Sequence, residues 1–384
     1  MVDRQAIGGC DIRELSLARR GDRELFIDLP FRLASSIDPW HPGVRKFYSD
    51  LVHPGRNPFW KGRKAWFFVA LRQGHVVGRM GLLDVGNVPQ RPNAATLVMP
   101  DFIDDSDVVD RLIDAVITRA RSRGARELIG PMNPNIHHDI GIQVSGFEHR
   151  NTIFMGYQPP YYARHLEAAG FRAIAELQAW SLFEESFLRE GRLRNLAERV
   201  ERHASLRIRS ADPRRFQSEL PIFYHLYSRS FADHWAFTPP TWEEFTFIAG
   251  DMRLILKENM ALIAEWDGEP VGFVLSVPDL YGILPKTSRG RITPGLLLRT
   301  LRRWPKLDLV RVMIAGVLPA YRRFGIHLPL FFRIAGAIFD RGFRGGEISW
   351  VMSDNRPMQK VLPLLGAHQT KTYRLYAKPL DVEH

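Results

Sequence analysis

The clearest succession of an apolar stretch, a polar turn and a second apolar stretch lies at residues 309–330. Its first half has few polar side chains and is rich in β-branched residues, which favours a strand: Val310, Val312, Ile314 and Val317. Pro319 ends this predicted strand, and an apolar run from about His327 to Arg341 predicts a helix. The pattern is therefore strand, short turn, helix.

The turn between this strand and this helix is basic and contains a glycine. Arg322, Arg323 and Gly325 directly precede the predicted helix. The first N–H groups of a helix lack partners within the helix, and the helix dipole favours an anion there. The two arginines add positive charge, so the turn predicts a site for pyrophosphate. The alternative is an ordinary strand–turn–helix whose arginines meet only water.

Strands and helices also alternate around this segment, which indicates an α/β (α+β) fold. The neighbouring predicted elements are a hairpin at 261–274 with a tight Asp-Gly turn, a strand at 346–352, a short helix from Asn355 to about Gly366, and a last strand at about 370–377.

The first half of the chain repeats this order. A hairpin at 66–80 contains Gly74-x-x-Val77-Gly78, which recurs as Gly268-x-x-Val271-Gly272. A helix at about 106–123 and a strand at 127–129 follow it. Two copies of one α/β unit explain these correspondences better than the chance recurrence of glycine-containing hairpins.

The two copies differ where chemistry is expected. The first copy has no basic turn before its helix and instead carries four aspartates, which would repel a pyrophosphate: Asp101, Asp104, Asp105 and Asp107. It also contains an extra loop, from Gly130 to Tyr162, that is rich in Gly, Pro, Asn and aromatic residues and is typical of a binding surface. His137, His138 and Asp139 also lie in this loop. Adjacent histidines in a strand or loop point apart, and the sequence shows no third ligand at metal-binding spacing, so no metal site is expected.

Composition adds limits on the class of protein. A chain of 384 residues, 45% hydrophobic and 25% charged, is expected to form two folded domains. Cys10 is the only cysteine, which suits a reducing compartment, and neither a secretory signal nor an apolar run long enough for a spanning helix is present. We therefore expect a cytoplasmic protein. The net charge of +11 favours anionic partners such as coenzyme A phosphates, an acidic carrier protein, anionic lipid or nucleic acid.

A basic segment at 282–307 separates the second hairpin from the strand that precedes the basic turn. From Pro294 it predicts a helix with leucines on one side and arginines on the other, including Arg299, Arg302 and Arg303. A basic amphipathic helix of this kind can lie in an anionic lipid interface, which would place the protein peripherally on the inner face of the membrane. The alternative is a surface helix whose leucines join the core.

The order of elements together with the basic turn resembles the GNAT acyltransferase superfamily, whose coenzyme A loop reads Gln/Arg-x-x-Gly-x-Gly/Ala. Arg322 and Gly325 match this motif, whereas His327 occupies the final small position. Further segments resemble a bacterial tandem-GNAT family that includes bacterial ceramide synthases: Gly130-Pro131-Met132-Asn133, Pro159-Pro160-Tyr161-Tyr162, Asp233-His234-Trp235, Glu347-Ile348-Ser349-Trp350 and the stretch from Lys371 to Pro379.

This resemblance implies two GNAT-like domains, each a mixed, mostly antiparallel sheet flanked by helices. We place them at residues 1–188, without a coenzyme A loop, and 189–384, with one. It implies transfer of an acyl group from acyl-CoA to a primary amine, with a long-chain, sphingoid-like amine as the more specific expectation. Whether coenzyme A or an acyl carrier protein delivers the acyl group stays open, and neither a metal nor nucleic acid is expected.

The resemblance also assigns candidate residues. The expected cofactor contacts are Val317, Leu318, Arg322, Arg323, Gly325, Ile326, His327 and Asn355. The expected substrate contacts are Asn133, Tyr157, Tyr161, Tyr162 and Trp235. For the proton donor to the leaving thiolate the candidates are Tyr373 and Tyr376; for the general base they are Glu347, then Asp279, then His234.

Two other functions remain open from the sequence. The first is an aminoacyl-tRNA-dependent transferase of tandem-GNAT type, which a pyrophosphate-binding turn disfavours because a tRNA donor does not need one. The second is a non-catalytic module that binds acyl-CoA, which the unusual His327 keeps in consideration.

Overall fold

The computed structural model describes residues 9–187, 191–253, 255–286, 290–291 and 293–380. These residues form two compact units. The first unit lies within Met1–Glu176, Lys286–Ile292 and Tyr373–His384, and the second within Leu177–Pro285 and Thr293–Thr372.

The first unit is a sheet flanked by helices. Its strands are β1 (Asp11–Leu15), β2 (Ala65–Arg72), β3 (His75–Leu83), β4 (Ala94–Phe102), β5 (Glu127–Gly130), the short β6 (Met132–Asn133), β7 (Asp139–Ile140) and β8 (Ile142–Ser145), and the beginning of β9 (Arg172–Phe183). Its helices are α1 (Arg20–Ser36), α2 (Arg45–Leu51), α3 (Ser106–Ser122) and α4 (Tyr161–Ala168).

The second unit contains the rest of β9 and the following elements. Its helices are α5 (Glu184–Phe187), α6 (Arg192–Glu201), α7 (Phe216–Ser230), α8 (Trp242–Arg253), α9 (Pro294–Arg303), α10 (His327–Phe339) and α11 (Arg356–Leu364). Its strands are β10 (Leu206–Ser210), β11 (Ala261–Trp266), β12 (Glu269–Pro278), β13 (Leu309–Val317), β14 (Gly345–Met352) and the beginning of β15 (His368–Pro379).

The same strand order occurs in both units. In the first, β1 to β5 follow one another antiparallel except for the parallel pair β4–β5, and β15 then pairs with β5. In the second, β10 to β14 do the same with β13–β14 parallel, and β9 then pairs with β14. The α/β (α+β) class is confirmed, and each sheet takes one strand from the other half of the sequence.

The repeated glycines of the two hairpins have the same positions in the two sheets. Gly78 pairs with Ala70, and Gly272 pairs with Ala264. A Cβ at Gly78 would lie 2.6 Å from Leu112 Cδ1 of α3, and one at Gly272 would lie 3.3 Å from a Leu330 side-chain carbon of α10. The glycine at this site lets a helix approach the hairpin closely, which explains why the sequence repeats it.

The strands of the second unit bury residues on both faces. Leu262 and Ala264 of β11 belong to a core with Leu330, Ile334 and Ile338 of α10. The alternate residue Ile263 belongs to a second core with Phe273 and Leu226 of α7. Because successive strand residues point to opposite faces, α10 and α7 cover opposite sides of this sheet. None of the described helices is long and apolar enough to cross a bilayer.

We predict that Gly78→Ala destabilises the protein by roughly 1–3 kcal/mol, because the added methyl group overpacks the contact with α3. Denaturant unfolding followed by circular dichroism measures this change. The matched control is Gly250→Ala in α8, where a Cβ would meet nothing within 4 Å. That variant should be more stable by about 0.5–1 kcal/mol, since alanine replaces glycine in a helix. Equal effects of the two substitutions would contradict the packing explanation.

Candidate active site

A gap between two strands marks the candidate site in the second unit. The parallel strands β13 and β14 pair only from Leu309 to Val312 on β13 and from Gly345 to Ile348 on β14. Strand β13 continues to Val317, so its last residues face a space that β14 does not fill.

The backbone of β13 is directed into this space. The N–H of Leu318 donates to the carbonyl of Val271 at 2.8 Å, which fixes the side of the strand that faces β12. Alternate residues of a strand direct their N–H and C=O groups to opposite edges. The backbone groups of Val317 and Ala315 therefore face the gap, where an extended ligand can form hydrogen bonds with the strand.

The predicted basic turn follows this edge. Residues Pro319–Phe324 form a 3₁₀ turn, and Gly325 adopts a left-handed conformation with φ 73°. Helix α10 then begins at His327, as the sequence predicted. A non-glycine residue is strained at such a φ, so Gly325 is required by the backbone of the turn.

The two arginines of the turn have different surroundings. The Arg322 guanidinium is held by two backbone carbonyls: its Nε donates to Val317 at 3.1 Å and its Nη2 donates to Ser230 at 2.7 Å. Arg323 is exposed and lies over the Phe324 ring, with its Cζ 4.9 Å from the ring centroid. Arg322 thus ties the turn to the end of β13, while Arg323 presents its charge to solvent.

The beginning of α10 adds backbone donors and a histidine. The half-buried His327 ring lies at the edge of Phe331, with centroids 6.3 Å apart. Burial lowers the pKa of His327 from its ordinary value of 6.5, so the ring is neutral at pH 7. His327 therefore adds no charge to the turn, and the positive potential there comes from the arginines and the helix dipole.

The segment after β14 lies at the same end of the parallel pair. Asn355 caps α11, with its side-chain oxygen accepting the N–H of Met358 at 3.3 Å. The predicted helix start at Asn355 is thereby confirmed. Because the carboxyl ends of parallel strands meet at one edge of a sheet, Asp354 and Asn355 lie on the same side as the basic turn.

His234 joins this group from a distant part of the sequence. It lies in the turn after α7, half-buried, with its ring 5.0 Å from that of Phe231. Burial lowers the pKa of His234 from its ordinary 6.5 and Arg322 lowers it further, whereas Asp354 and Asp233 act in the opposite direction. The imidazole is therefore neutral at pH 7 and can accept a proton. Trp235 is the next residue and is half-buried.

Glu347, the carboxylate ranked first from the sequence, lies in a buried ion network. Its Oε2 is 2.5 Å from Lys371 Nζ, and both side chains are almost inaccessible to solvent. Its Oε1 accepts a hydrogen bond from Ser349 Oγ at 3.1 Å, and Ser349 Oγ also accepts one from Arg311 Nε at 3.0 Å. The carboxylate thus compensates buried positive charge, a structural role that competes with proton abstraction.

Asp279, the second carboxylate, lies at the end of β12. It is buried, and its side chain accepts the N–H of Tyr281 at 3.3 Å while its backbone N–H donates to Leu309. This contact caps the 3₁₀ turn Leu280–Gly282. Asp279 therefore shapes the chain where it leaves the hairpin.

The two tyrosines named as proton donors belong to the first unit, not to the unit with the basic turn. Tyr376 lies in the core of that unit, and its hydroxyl donates to Glu167 at 3.0 Å. Burial raises the pKa of Tyr376, and Glu167 raises it further. Tyr373 is completely buried. The role of either tyrosine as proton donor stays a prediction.

In the first unit the equivalent strand edge is closed by side chains. Strands β4 and β5 pair only from Ala94 to Thr96, and Phe102 occupies the place that Val317 has in the second sheet. The N–H of Phe102 donates to Tyr162 Oη at 3.2 Å, and the C=O of Phe102 accepts from Tyr161 Oη at 3.0 Å. The predicted substrate-contacting tyrosines thus satisfy this edge themselves.

Two further residues of the same loop also support the first unit. Asn133 Oδ1 accepts the N–H of Met99 on β4 at 2.6 Å. Tyr157 stacks on Trp40 with ring centroids 6.0 Å apart and donates to the carbonyl of Phe147 at 2.9 Å. Burial raises the pKa of the Tyr157 hydroxyl, and Asp38 and Glu148 raise it further. Among the described residues, no cluster of His, Cys, Asp and Glu is arranged to hold a metal ion.

Two known bacterial proteins are similar in sequence to this chain over nearly its whole length. No family model matches the sequence. The chain is 25% identical over 380 residues to a bacterial ceramide synthase of Caulobacter vibrioides (strain NA1000 / CB15N), covering 96% of this chain and 98% of that protein. It is 27% identical over 373 residues to the protein YghO of Escherichia coli (strain K12), covering 94% of each.

Solved structures share the fold. A tandem GNAT protein from the clavulanic acid biosynthesis pathway matches with a TM-score of 0.58 and 14% identity, covering 97% of this chain and 99% of that one. A GCN5-related N-acetyltransferase from Sphaerobacter thermophilus matches with a TM-score of 0.51 and 13% identity, covering 96% of each chain. Together with the repeated sheet, these likenesses show that the chain has the tandem GNAT fold over nearly its whole length.

Proposed function

We propose that this protein transfers an acyl group from a coenzyme A thioester to a primary amine, and that the second unit carries out the reaction. The proposal rests mainly on one observation, the open edge of β13 beside a basic turn at the beginning of α10. An extended amide-containing arm can pair with the strand while the phosphates meet the helix N-terminus. The first unit lacks this combination, because Tyr161 and Tyr162 close its edge.

The roles of the donor-binding residues follow from their surroundings. The backbone of Val317 and Ala315 pairs with the pantetheine arm. Arg323, the backbone of Ile326 and His327, and the α10 dipole hold the pyrophosphate. Arg322 positions the turn through its bonds to the Val317 and Ser230 carbonyls, so its contribution is to geometry as well as to charge. Gly325 and Leu318 complete the backbone path around the phosphates.

His234 is the proposed general base. Its ring is neutral at pH 7 and lies in the electrostatic neighbourhood of Arg322, which is bonded to the end of β13. The amine nitrogen attacks the thioester carbonyl carbon, the C–S bond breaks, and the proton lost by the nitrogen passes to the imidazole. The imidazolium then returns that proton to the coenzyme A thiolate. The products are an amide and coenzyme A.

The acceptor is a long-chain amine of the sphingoid type. Helices α7 and α8 and the segment between them form an aromatic cluster whose neighbouring rings are 5.3 to 6.0 Å apart: Tyr224, Tyr227, Phe231, Phe237 and Phe245. Tyr227 and Phe231 remain half-buried and pack against the same core cluster as Ile314 of β13 and Leu318, the residue after that strand. This apolar surface suits an alkyl chain, and the likeness to a protein named bacterial ceramide synthase supports the same acceptor. Such amines lie in membranes, so we place the enzyme on the inner membrane face.

The function is tested by offering the purified protein acetyl-CoA, palmitoyl-CoA or palmitoyl carrier protein, each with sphinganine or with a panel of soluble amines. Mass spectrometry identifies the amide. We expect N-palmitoyl sphinganine from palmitoyl-CoA. Product formed only with palmitoyl carrier protein would show that the carrier protein, and not coenzyme A, delivers the acyl group. Acetylation of soluble amines without any lipid product would overturn the lipid acceptor.

We predict that His234→Ala lowers kcat by roughly 100- to 10,000-fold, the usual contribution of a general base. In the unmodified enzyme kcat should fall only below pH 6.5, because the lowered pKa keeps His234 neutral above that value. The variant should lose this acid limb. His225→Ala, at an exposed histidine of α7, is the matched control and should retain both the rate and the pH profile.

Glu347→Gln tests the carboxylate that competes for the same role. Leaving Lys371 buried without its charged partner should cost roughly 3–5 kcal/mol of stability, while the acid limb of the pH–rate profile stays in place. The double variant Glu347→Gln, Lys371→Met removes both charges and should recover part of that stability in thermal unfolding. A stable Glu347→Gln protein with a flattened pH profile would assign the base to Glu347 instead.

Replacing Arg323 by Gln should raise the KM for acyl-CoA by roughly 10- to 100-fold through loss of a charged hydrogen bond, with kcat at saturation unchanged. Steady-state kinetics and calorimetric titration with coenzyme A measure the effect. Arg341→Gln, at an exposed arginine just beyond the other end of α10, should leave the KM unchanged. A similar change in KM for both variants would contradict a specific phosphate contact at Arg323.

A further inference from the structure

Helix α9 exposes a compact group of leucines. Leu297, Leu298 and Leu301 are 50%, 51% and 55% exposed. Residues three and four positions apart are neighbours on a helix surface, so Leu301 lies beside both Leu298 and Leu297 and the three side chains form one apolar patch. The other exposed large hydrophobic residues of the described chain, Leu196, Trp242 and Leu364, occur on other helices.

The exposed leucines are not needed to attach α9 to its own unit. Leu307 is buried in the core beneath α10, and Trp304 packs against that core with Lys257 Nζ 4.4 Å from its ring centroid. Thr300 is buried, and its hydroxyl donates to the carbonyl of Leu296 at 2.9 Å. The sequence suggested a single leucine side, whereas the structure divides the helix into an anchored side and an outward apolar patch.

Basic residues surround this patch. Arg299, Arg302 and Lys306 are exposed and Arg303 is half-buried, and no acidic residue occurs between Thr293 and Leu307. Two copies of α9 packed patch to patch would bring these like charges together, which disfavours self-association. An apolar patch framed by cations is complementary to a bilayer with anionic headgroups, which offers negative charge and hydrocarbon together.

We propose that α9 docks this protein on the surface of an anionic bilayer. Leu297, Leu298 and Leu301 enter the boundary between headgroups and acyl chains, and Arg299 and Arg302 contact lipid phosphates. The inference rests on the proposed function for the presence of a membrane-borne substrate, but it does not depend on which amine is acylated. A peripheral enzyme of this kind takes its acceptor from the lipid layer without releasing it into water.

The test is co-sedimentation of the full chain with vesicles of phosphatidylcholine alone or of phosphatidylcholine with phosphatidylglycerol. We expect binding to the anionic vesicles only. The triple variant Leu297→Ser, Leu298→Ser, Leu301→Ser and the double variant Arg299→Glu, Arg302→Glu should each lower the partition coefficient by about tenfold or more. Circular dichroism melts establish that each variant is folded, as expected for side chains that lie outside the core.

Matched controls separate docking from general attraction. Leu364→Ser removes another leucine, 57% exposed, and Arg121→Glu with Arg126→Glu reverses two exposed charges elsewhere. Both controls should sediment like the unmodified protein. Equal loss from the control and α9 charge reversals, or no loss from the triple leucine variant, would overturn the proposal. So would a concentration-dependent dimer, seen by light scattering, that the leucine variant abolishes without a change in vesicle binding.

Activity distinguishes this proposal from the proposed function. Acylation of sphinganine presented in anionic vesicles should fall in the α9 variants, while acylation of a short, water-soluble amine without vesicles should not. Vesicle binding by a protein that acylates no amine would remove the proposed function and leave the docking surface standing. Full activity on vesicle-borne sphinganine in both α9 variants would overturn the docking role.

Discussion

The divergence of β13 from its parallel neighbour is the constraint on which the candidate site depends. A parallel pair normally satisfies the backbone groups of both strands, but β13 and β14 separate after Val312 and Ile348. Backbone donors and acceptors that leave a ladder must find other partners, so an opened edge is satisfied by water, by a ligand or by a side chain. The strand end, the basic turn and the α10 N-terminus are the features from which we propose an extended ligand that ends in phosphate.

The unpaired backbone at this strand edge has different hydrogen-bond partners in the two units. In the first, Tyr161 and Tyr162 bond the carbonyl and amide of Phe102, and Asn133 accepts the amide of Met99. In the first sheet, side chains therefore close the edge that opens where β4 and β5 separate, so no ligand is needed there. In the second, the side chain that bonds the equivalent position within the described part of the chain is that of Arg322, whose guanidinium donates to the carbonyl of Val317. Residues of the loop that was predicted to contact substrate thus bond the open backbone of the first sheet, and our proposal therefore assigns donor binding to the other copy.

Local rules predicted the elements well because they depend on adjacent residues. Pro319, Gly325 and Asn355 each control their own turn, and the observed boundaries agree with that reading. The strand exchange was not predictable in this way, because the last strand of each sheet comes from a distant part of the sequence and the local pattern of a strand does not specify its partner. From its position in the sequence Tyr376 was therefore predicted to belong to the second domain, whereas it lies in the core of the first unit.

Long-range pairing also determines which acid–base residue is available. From the sequence, Glu347 ranks ahead of His234 because it lies beside the strand of the basic turn. Only the fold shows that Lys371 neutralises Glu347 at 2.5 Å. Protonating that carboxylate during catalysis would leave the buried Lys371 without a counter-charge, which carries a large free-energy cost. His234 does not neutralise a buried charge in this way. Its burial and the proximity of Arg322 both favour the neutral imidazole. In the proposed mechanism, protonation of His234 by the amine is transient, because the thiolate produced in the same reaction takes the proton.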